Sequence, residues 1–376
     1  MKARERQQLR RDERNMVNKA GRTTGRQAAP EGSFKMPQIR IKGGRLWLLI
    51  PLGLVVIASV ILALRLLTPS ETILPPNAVW LNSSWTYQEH STEGLLDLAN
   101  TFRSNDIGEI FIYVSSLRDD GTWSGLLEGR NRFDEVEPRL ETLLTNIRAV
   151  YPNIRIHAWI EINGNSPSYR LNDLQIQNTI TNFSGRMINV LGFDGVLMDI
   201  KPIFEENEDF IQILRNVRRE ITTEKALLVA VPPDLTPSGT SLNLPRMIAP
   251  ATEWSADFKK RVALIVNQIV ITAYNSYQSN PVDYIEWVAY QVNSYASALS
   301  ELDTNTTIML SLPNYLNNPP AHDSSIENLA SALDGVSLAL ANLEDSQLII
   351  FRGVAIYSDR LPNTDEWAVF RSKWGR

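Results

Sequence analysis

The sequence predicts an α/β fold, a (β/α)8 TIM barrel preceded by one transmembrane helix, and three observations predict it. An uncharged apolar run, Leu46 to Leu64, separates a basic first segment from an acidic remainder. Beyond it, short apolar runs of strand length alternate with longer segments of helical spacing, and the alternation repeats eight times. The 300 residues from Asn77 to Arg376 that carry this pattern suit one large α/β domain better than two small ones.

Residues 1–45 read as a basic cytoplasmic tail without regular structure. They hold 13 Lys+Arg against 4 Asp+Glu, so the formal net charge of −5 divides into +9 here and −14 over the rest. No aromatic residues interleave with these bases and no nucleic-acid-binding motif is present, so no nucleic acid is expected as a partner. Basic residues beside a membrane span fix its topology and attract anionic lipid. Residues 46–67 read as that span. The run LWLLIPLGLVVIASVILAL is flanked by Lys42 and Arg45 on one side and Arg65 on the other, and nineteen helical residues rise about 28 Å, enough to cross a bilayer core. Pro51 and Gly53 are tolerated in such helices. The positive-inside rule leaves the tail in the cytoplasm and the C-terminal domain extracytoplasmic, as a single-pass protein of the cell membrane whose lipid contacts are residues 46–67 and the tail. Residues 68–76, with three prolines and no period, form a short stiff linker.

Residues 77–376 form the barrel domain. The expected strands are Ala78–Ser83, Glu109–Ser115, Arg155–Asn163, Phe193–Lys201, Ala226–Pro232, Gln268–Asn275, Thr307–Pro313 and Gly353–Ser358. Between them, Val136, Leu140, Leu143, Ile147 and Val150 form one apolar helical stripe, and Phe210, Ile213, Leu214, Val217 and Ile221 another. Similar stripes run through Ile285–Leu299 and Ile326–Leu343, and the chain closes on Trp367, Phe370 and Trp374. Eight βα units give a closed barrel or a doubly wound sheet, and the count of eight favours the barrel. No GxGxxG or GxxxxGK[ST] follows the first strand, which argues against a dinucleotide or nucleoside triphosphate site. The chain has no cysteine and three histidines, His90, His157 and His322, so thiolate metal sites, redox pairs and thiol nucleophiles are excluded. No cofactor and no metal are implied.

Barrel chemistry sits at the C-terminal ends of the strands. Alternation in the third strand puts Ile156, Ala158, Ile160 and Ile162 against the helices and points His157, Trp159, Glu161 and Asn163 inward. The same parity in the fourth aligns Leu197, Asp199 and Lys201. The segment GFDGVLMDIKP resembles the fourth-strand motif of family-18 glycoside hydrolases, the chitinase group, written DGxDxDxE. Asp194 and Gly195 match its opening and Asp199 its second inward Asp, while Leu197 stands at the first and Lys201 at the catalytic Glu. A looser resemblance is to glycosyl hydrolase barrels reading DG-x-x-x-D-x-EP, again with Lys201-Pro202 for Glu-Pro. The sixth strand's ITAYNSY is similar to the family's M-x-Y-D, with Tyr274 matching and Asn275 in place of Asp.

The resemblance implies a polysaccharide or glycan as partner. It implies hydrolysis only if a carboxyl group can protonate the leaving oxygen and another can position the substrate. Lys201 cannot donate readily, because a neighbouring Asp199 favours the ammonium form. Three readings of Lys201 follow: a structural partner of Asp199, part of a site that binds without cutting, or a Schiff-base lysine of a lyase. For a hydrolase, the working carboxylates would be Asp199 and Glu161, with Asp234 and Asp359 as further acids. Lys201, Trp159, Asn163, Tyr274, Asn275 and Tyr357 would bind the sugar. The alternative from another class is a non-catalytic glycan- or protein-binding scaffold at the cell surface.

Overall fold

The computed structural model describes residues 76–125, 132–234, 254–317 and 322–375. The basic tail, the apolar run 46–67 and the linker up to residue 75 lie outside the described residues. Among the described residues, no helix is long and apolar enough to cross a membrane.

Eight parallel strands close on themselves in sequence order. They are β1 (Asn77–Leu81), β2 (Ile107–Leu117), β3 (Arg155–Asn163), β4 (Gly195–Lys201), β5 (Ala226–Val231), β6 (Gln268–Thr272), β7 (Thr307–Pro313) and β8 (Phe351–Tyr357). Closure is made where Ala78 and Val79 of β1 pair with Ala355 and Ile356 of β8. The helices around them are α1 (Ser83–Thr86), α2 (Thr92–Ser104), α3 (Phe133–Val150), α4 (Leu174–Asn189), α5 (Glu208–Ile221), α6 (Ala256–Ala263), α7 (Pro281–Ser300), α8 (Leu329–Leu340), α9 (Asp345–Leu348) and α10 (Thr364–Trp374).

The helices start where side chains satisfy free backbone N–H groups. Ser91, Asp173, Asn207, Ser255, Asn280 and Asn328 cap α2, α4, α5, α6, α7 and α8. Asn363 and Glu366 cap α10 reciprocally. The stripe read over Ile326–Leu343 is therefore helix only from Leu329, because Asn328 opens it, and Ile326 and Glu327 stay in the preceding turn.

Alternation along the strands makes two cores. Ile110, Ile112, Ile156, Ile160, Val196 and Met198 face the helices and join one large cluster. Trp80, Phe111, Trp159, Leu197, Leu228, Val270 and Met309 fill the interior. Below them, at the N-terminal ends of the strands, Glu109 is fully buried between Arg155, Arg352 (Nε to Oε1, 2.9 Å) and His157 (3.4 Å). Burial works against this carboxylate, but the neighbouring His157 and the two guanidinium groups outweigh it and hold its pKa at about 2.

β3 and β7 match the expected spans and the other strands shift at their ends. β6 stops at Thr272, three residues short of the expected Asn275, which has φ 59°, in the left-handed region that no strand residue adopts. α2, α4 and α6 occupy segments in which no stripe was read.

Candidate functional site

Pairing of β3 with β4 sets the mouth of the barrel. Glu161 lies beside Asp199 and Asn163 beside Lys201. Asp199 is 3% exposed and both its oxygens are engaged. Lys201 Nζ lies 2.9 Å from Oδ1, and the Trp159 indole Nε1–H donates to Oδ2 at 3.1 Å. A carboxylate at this depth is stable only if paired and hydrogen-bonded, and these two residues do both. The Lys201 side chain is 43% exposed, so its ammonium stays within reach of a ligand. Burial works against that charge, but attraction by Asp199 and the lysine's contact with that carboxylate, with smaller help from Tyr357 and Glu161, push the lysine pKa up. Burial also pushes the Glu161 carboxyl up; repulsion by Asp199 adds to this and Lys201 offsets part of it.

The opposite wall is aromatic. Tyr274 and Tyr357 stack with centroids 4.7 Å apart and planes 13° from parallel. Trp159 meets Tyr357 edge-on at 6.3 Å and Trp80 at 4.8 Å, and Tyr113 meets Trp159 at 5.2 Å. Edge-on and offset contacts of this kind fix ring positions. Tyr274, Asn275, Tyr315 and Tyr357 line an open cavity of about 670 Å³, with Asn82 and Asp359 at its β1–β8 side. Burial pushes the phenols of Tyr274 and Tyr357 up, so both hydroxyls remain protonated donors across the neutral range.

The structure thus gathers Asp199, Lys201, Trp159, Glu161, Tyr274, Asn275 and Tyr357 at one end of the barrel. Asn163 reaches the same end, but its Oδ1 accepts from the Asn165 N–H at 3.0 Å and closes the turn after β3. Asp359 is exposed at the cavity rim. Asp234 is a correction: it is 3% exposed and clasped by Lys259, with Ser294 Oγ donating to it at 2.6 Å, so it faces α6 and α7 rather than the mouth.

Two residues that the sequence reading did not single out as site residues belong to the wall. Tyr315, just after β7, donates its hydroxyl to Asn275 Oδ1 at 3.1 Å. Glu327, read as part of a helical stripe, accepts from the Asn275 and Ser276 N–H groups at 2.8 and 2.7 Å. Tyr315 could have been found as the first aromatic beyond the end of a barrel strand. Nothing in the period marks Glu327.

No family model matches the sequence, and no curated protein matches it either. Solved structures match it in fold. The spore cortex-lytic enzyme SleL of Bacillus cereus superposes with a TM-score of 0.50 and 13% identity, over 79% of this chain and 73% of its own. A class V chitinase from Pseudomonas fluorescens Pf-5 gives 0.52 and 10%, over 80% and 99%. A family-18 chitinase from Cycas revoluta, solved in complex with (GlcNAc)4, gives 0.50 and 12%, again over 80% and 99%. At such identities the likeness is one of fold alone, a (β/α)8 barrel such as these chitinases have. The family resemblance read in the fourth and sixth strands points to the same fold.

Proposed function

We propose that this is a glycan-binding barrel, held at the outer face of a membrane by residues 46–67, that engages a polysaccharide at its mouth without cleaving it by the chitinase route. The carrying observation is the Lys201–Asp199 pair. On the motif match Lys201 stands where the proton donor belongs, and a donor must release its proton at working pH. An ammonium clasped at 2.9 Å by a buried carboxylate, with its pKa pushed up, keeps it. The same clasp opposes the lyase reading, since a Schiff-base lysine attacks as the neutral amine. The tyrosines that line the open cavity favour sugar, whose apolar faces lie on aromatic rings while its hydroxyls meet polar side chains.

One observation favours a second reading, a hydrolase with Glu161 as acid and Asp199 as nucleophile or positioning group. The register sets Glu161 beside Asp199, so two carboxyl groups meet at the mouth, and desolvation and Asp199 push the Glu161 carboxyl up, the direction that suits a proton donor.

Both readings are tested by incubating the full-length chain, in detergent micelles, with a glycan array and separately with (GlcNAc)4, beside an Asp199→Ala variant. Binding that the variant loses, with no shortened sugar released, supports the binding reading. Release that disappears in Glu161→Gln moves the assignment to the hydrolase. A folded chain that binds no glycan sinks both and leaves a protein-binding scaffold. Protease added outside intact cells should digest the barrel and spare the tail if the anchoring is right.

A further inference from the structure

Behind the aromatic wall lies a buried carboxylate whose partners all belong to the cavity side. Glu327 is 1% exposed, in the turn before α8. It accepts from the N–H groups of Asn275 (2.8 Å) and Ser276 (2.7 Å) and from the Ser276 hydroxyl, and its Oε2 lies 2.8 Å from His322 Nδ1. Burying a carboxylate is costly unless its oxygens are filled, and here the loop after β6 and His322 fill them.

The loop receives something in return. Asn275 and Tyr277 both adopt φ 59°, a conformation that costs an L-residue about 1–2 kcal/mol. Hydrogen bonds to a charged acceptor are among the stronger ones, and two of them hold the backbone on either side of the Asn275 carbonyl. A second clamp comes from the β7 side. The Tyr315 ring lies 4.1 Å from that of His322, and its hydroxyl donates to Asn275 Oδ1 at 3.1 Å. With that oxygen occupied, the NH2 of Asn275 is the group left to face the cavity.

We infer that Glu327, together with His322, is a positioning residue that fixes the loop after β6 so that Asn275 offers its amide N–H groups to an acceptor oxygen of the ligand. The ligand group met here is therefore a carbonyl, carboxylate or hydroxyl oxygen of a sugar, not an ammonium. An aspartate at this position, as in the motif that ITAYNSY resembles, would offer acceptors instead. The identity of the ligand rests on the glycan-binding reading; the fixing of the loop does not.

The test uses the full-length chain in detergent micelles, labelled with 15N-serine and 13C′-asparagine. Only Asn–Ser peptides then report, and the sequence has four, at 82–83, 165–166, 275–276 and 293–294. In Glu327→Gln the Ser276 amide should move upfield, as a proton leaving a charged acceptor does, while the other three stay. Affinity for (GlcNAc)4 should fall about tenfold, the worth of about one lost oriented hydrogen bond. Tyr315→Phe, which leaves Glu327 in place, should lower affinity several-fold with the Ser276 amide unmoved. An unmoved Ser276 amide in Glu327→Gln overturns the inference, and so does a moved amide with undiminished affinity. If Glu327→Gln does not fold, undiminished affinity in Tyr315→Phe overturns it. A wild-type chain that binds no glycan refutes the binding reading instead, and the Ser276 resonance then decides the fixing of the loop alone.

Discussion

Replacing Lys201 by Met keeps the length and apolar stem of the side chain and removes the ammonium that lies 2.9 Å from Asp199. Breaking a fully buried pair by deleting one partner costs about 3–5 kcal/mol. Here Asp199 is buried but the Lys201 side chain is 43% exposed, and Trp159 still holds the second carboxylate oxygen, so screening reduces the expected cost to about 1–2 kcal/mol. For a domain of this size that lowers Tm by about 2–4 °C. The pH dependence has a definite sign. The folded pKa of Lys201 is raised, so the stability it brings is fully present below its unfolded value, about 10.4, and is lost as pH rises through the folded value. The difference between wild type and Lys201→Met should therefore be constant through neutral pH and close in strong alkali. Thermal unfolding followed by tryptophan fluorescence measures it. Equal Tm values at neutral pH, or a gap that widens in alkali, would refute the claim that the pair is a charged clasp. Glycan affinity measured on the same variant separates a purely structural clasp, which leaves it intact, from one that also meets the ligand.

Three further outcomes follow from the same electrostatics and packing. Glu109→Gln should lose about 3 kcal/mol at neutral pH, because a pKa lowered from 4.5 to about 2 stores about 1.4 kcal/mol per unit; that stability is present above the unfolded value and lost as pH falls toward 2, so urea unfolding at pH 7 and near pH 3 should show the variant's deficit shrinking in acid. Glu161→Gln should stabilise the barrel at neutral pH and leave it unchanged in acid, since a raised carboxyl pKa gives stability only below the unfolded value; a destabilised variant in the same urea series contradicts the assigned repulsion. Gly195→Ala should cost about 1–3 kcal/mol or prevent folding, because its Cβ would come within 2.5 Å of the Ala226 carbonyl and 2.6 Å of His157 Nδ1; an unchanged Tm would show that β4 and β5 can separate at no cost.

The period of the sequence carried much of this architecture and stopped at definite places. β3 and β7 were legible to the residue because each is a short apolar run with a sharp boundary, polar Arg155 and Asn163 around β3 and Thr307 and Pro313 around β7. The same parity put Trp159, Glu161, Asp199 and Lys201 on the inner face, since a strand leaves only two choices of side. α4 was not legible. Its buried face includes Gln177, Ser184 and Gly185 among Ile176, Ile180, Phe183 and Met187, so polar and small residues interrupt the apolar stripe. The end of β6 was hidden for another reason: the left-handed turn at Asn275 is held by Glu327, about fifty residues further along the chain. Asp234 misled because position after a strand does not say which way a loop side chain turns, and Lys259 and Ser294 turn it toward the helices.

The resemblance to the chitinase motif covers residues of two kinds. Of its matching residues, Asp199 and Tyr274 lie at the mouth, while Asp194 and Gly195 build the barrel. Asp194 accepts from the Ile156 N–H at 2.9 Å and from Arg148 at 3.2 Å, tying the start of β4 to β3, and Gly195 leaves the space that His157 occupies inside. Two of its departures, Lys201 and Asn275, face the mouth, and each is met by neighbours suited to the residue present. Lys201 has Asp199, with Trp159 on that carboxylate's other oxygen. Asn275 has Tyr315 on its amide oxygen and Glu327 on its backbone. Both side chains are thus tied to neighbouring groups, and ties of this kind fix geometry. The motif is therefore a guide to the fold of this chain, and the chemistry at its mouth has to be read from the groups present there: the Lys201 cation beside the Asp199 carboxylate, and the Asn275 amide beside the Tyr315 hydroxyl.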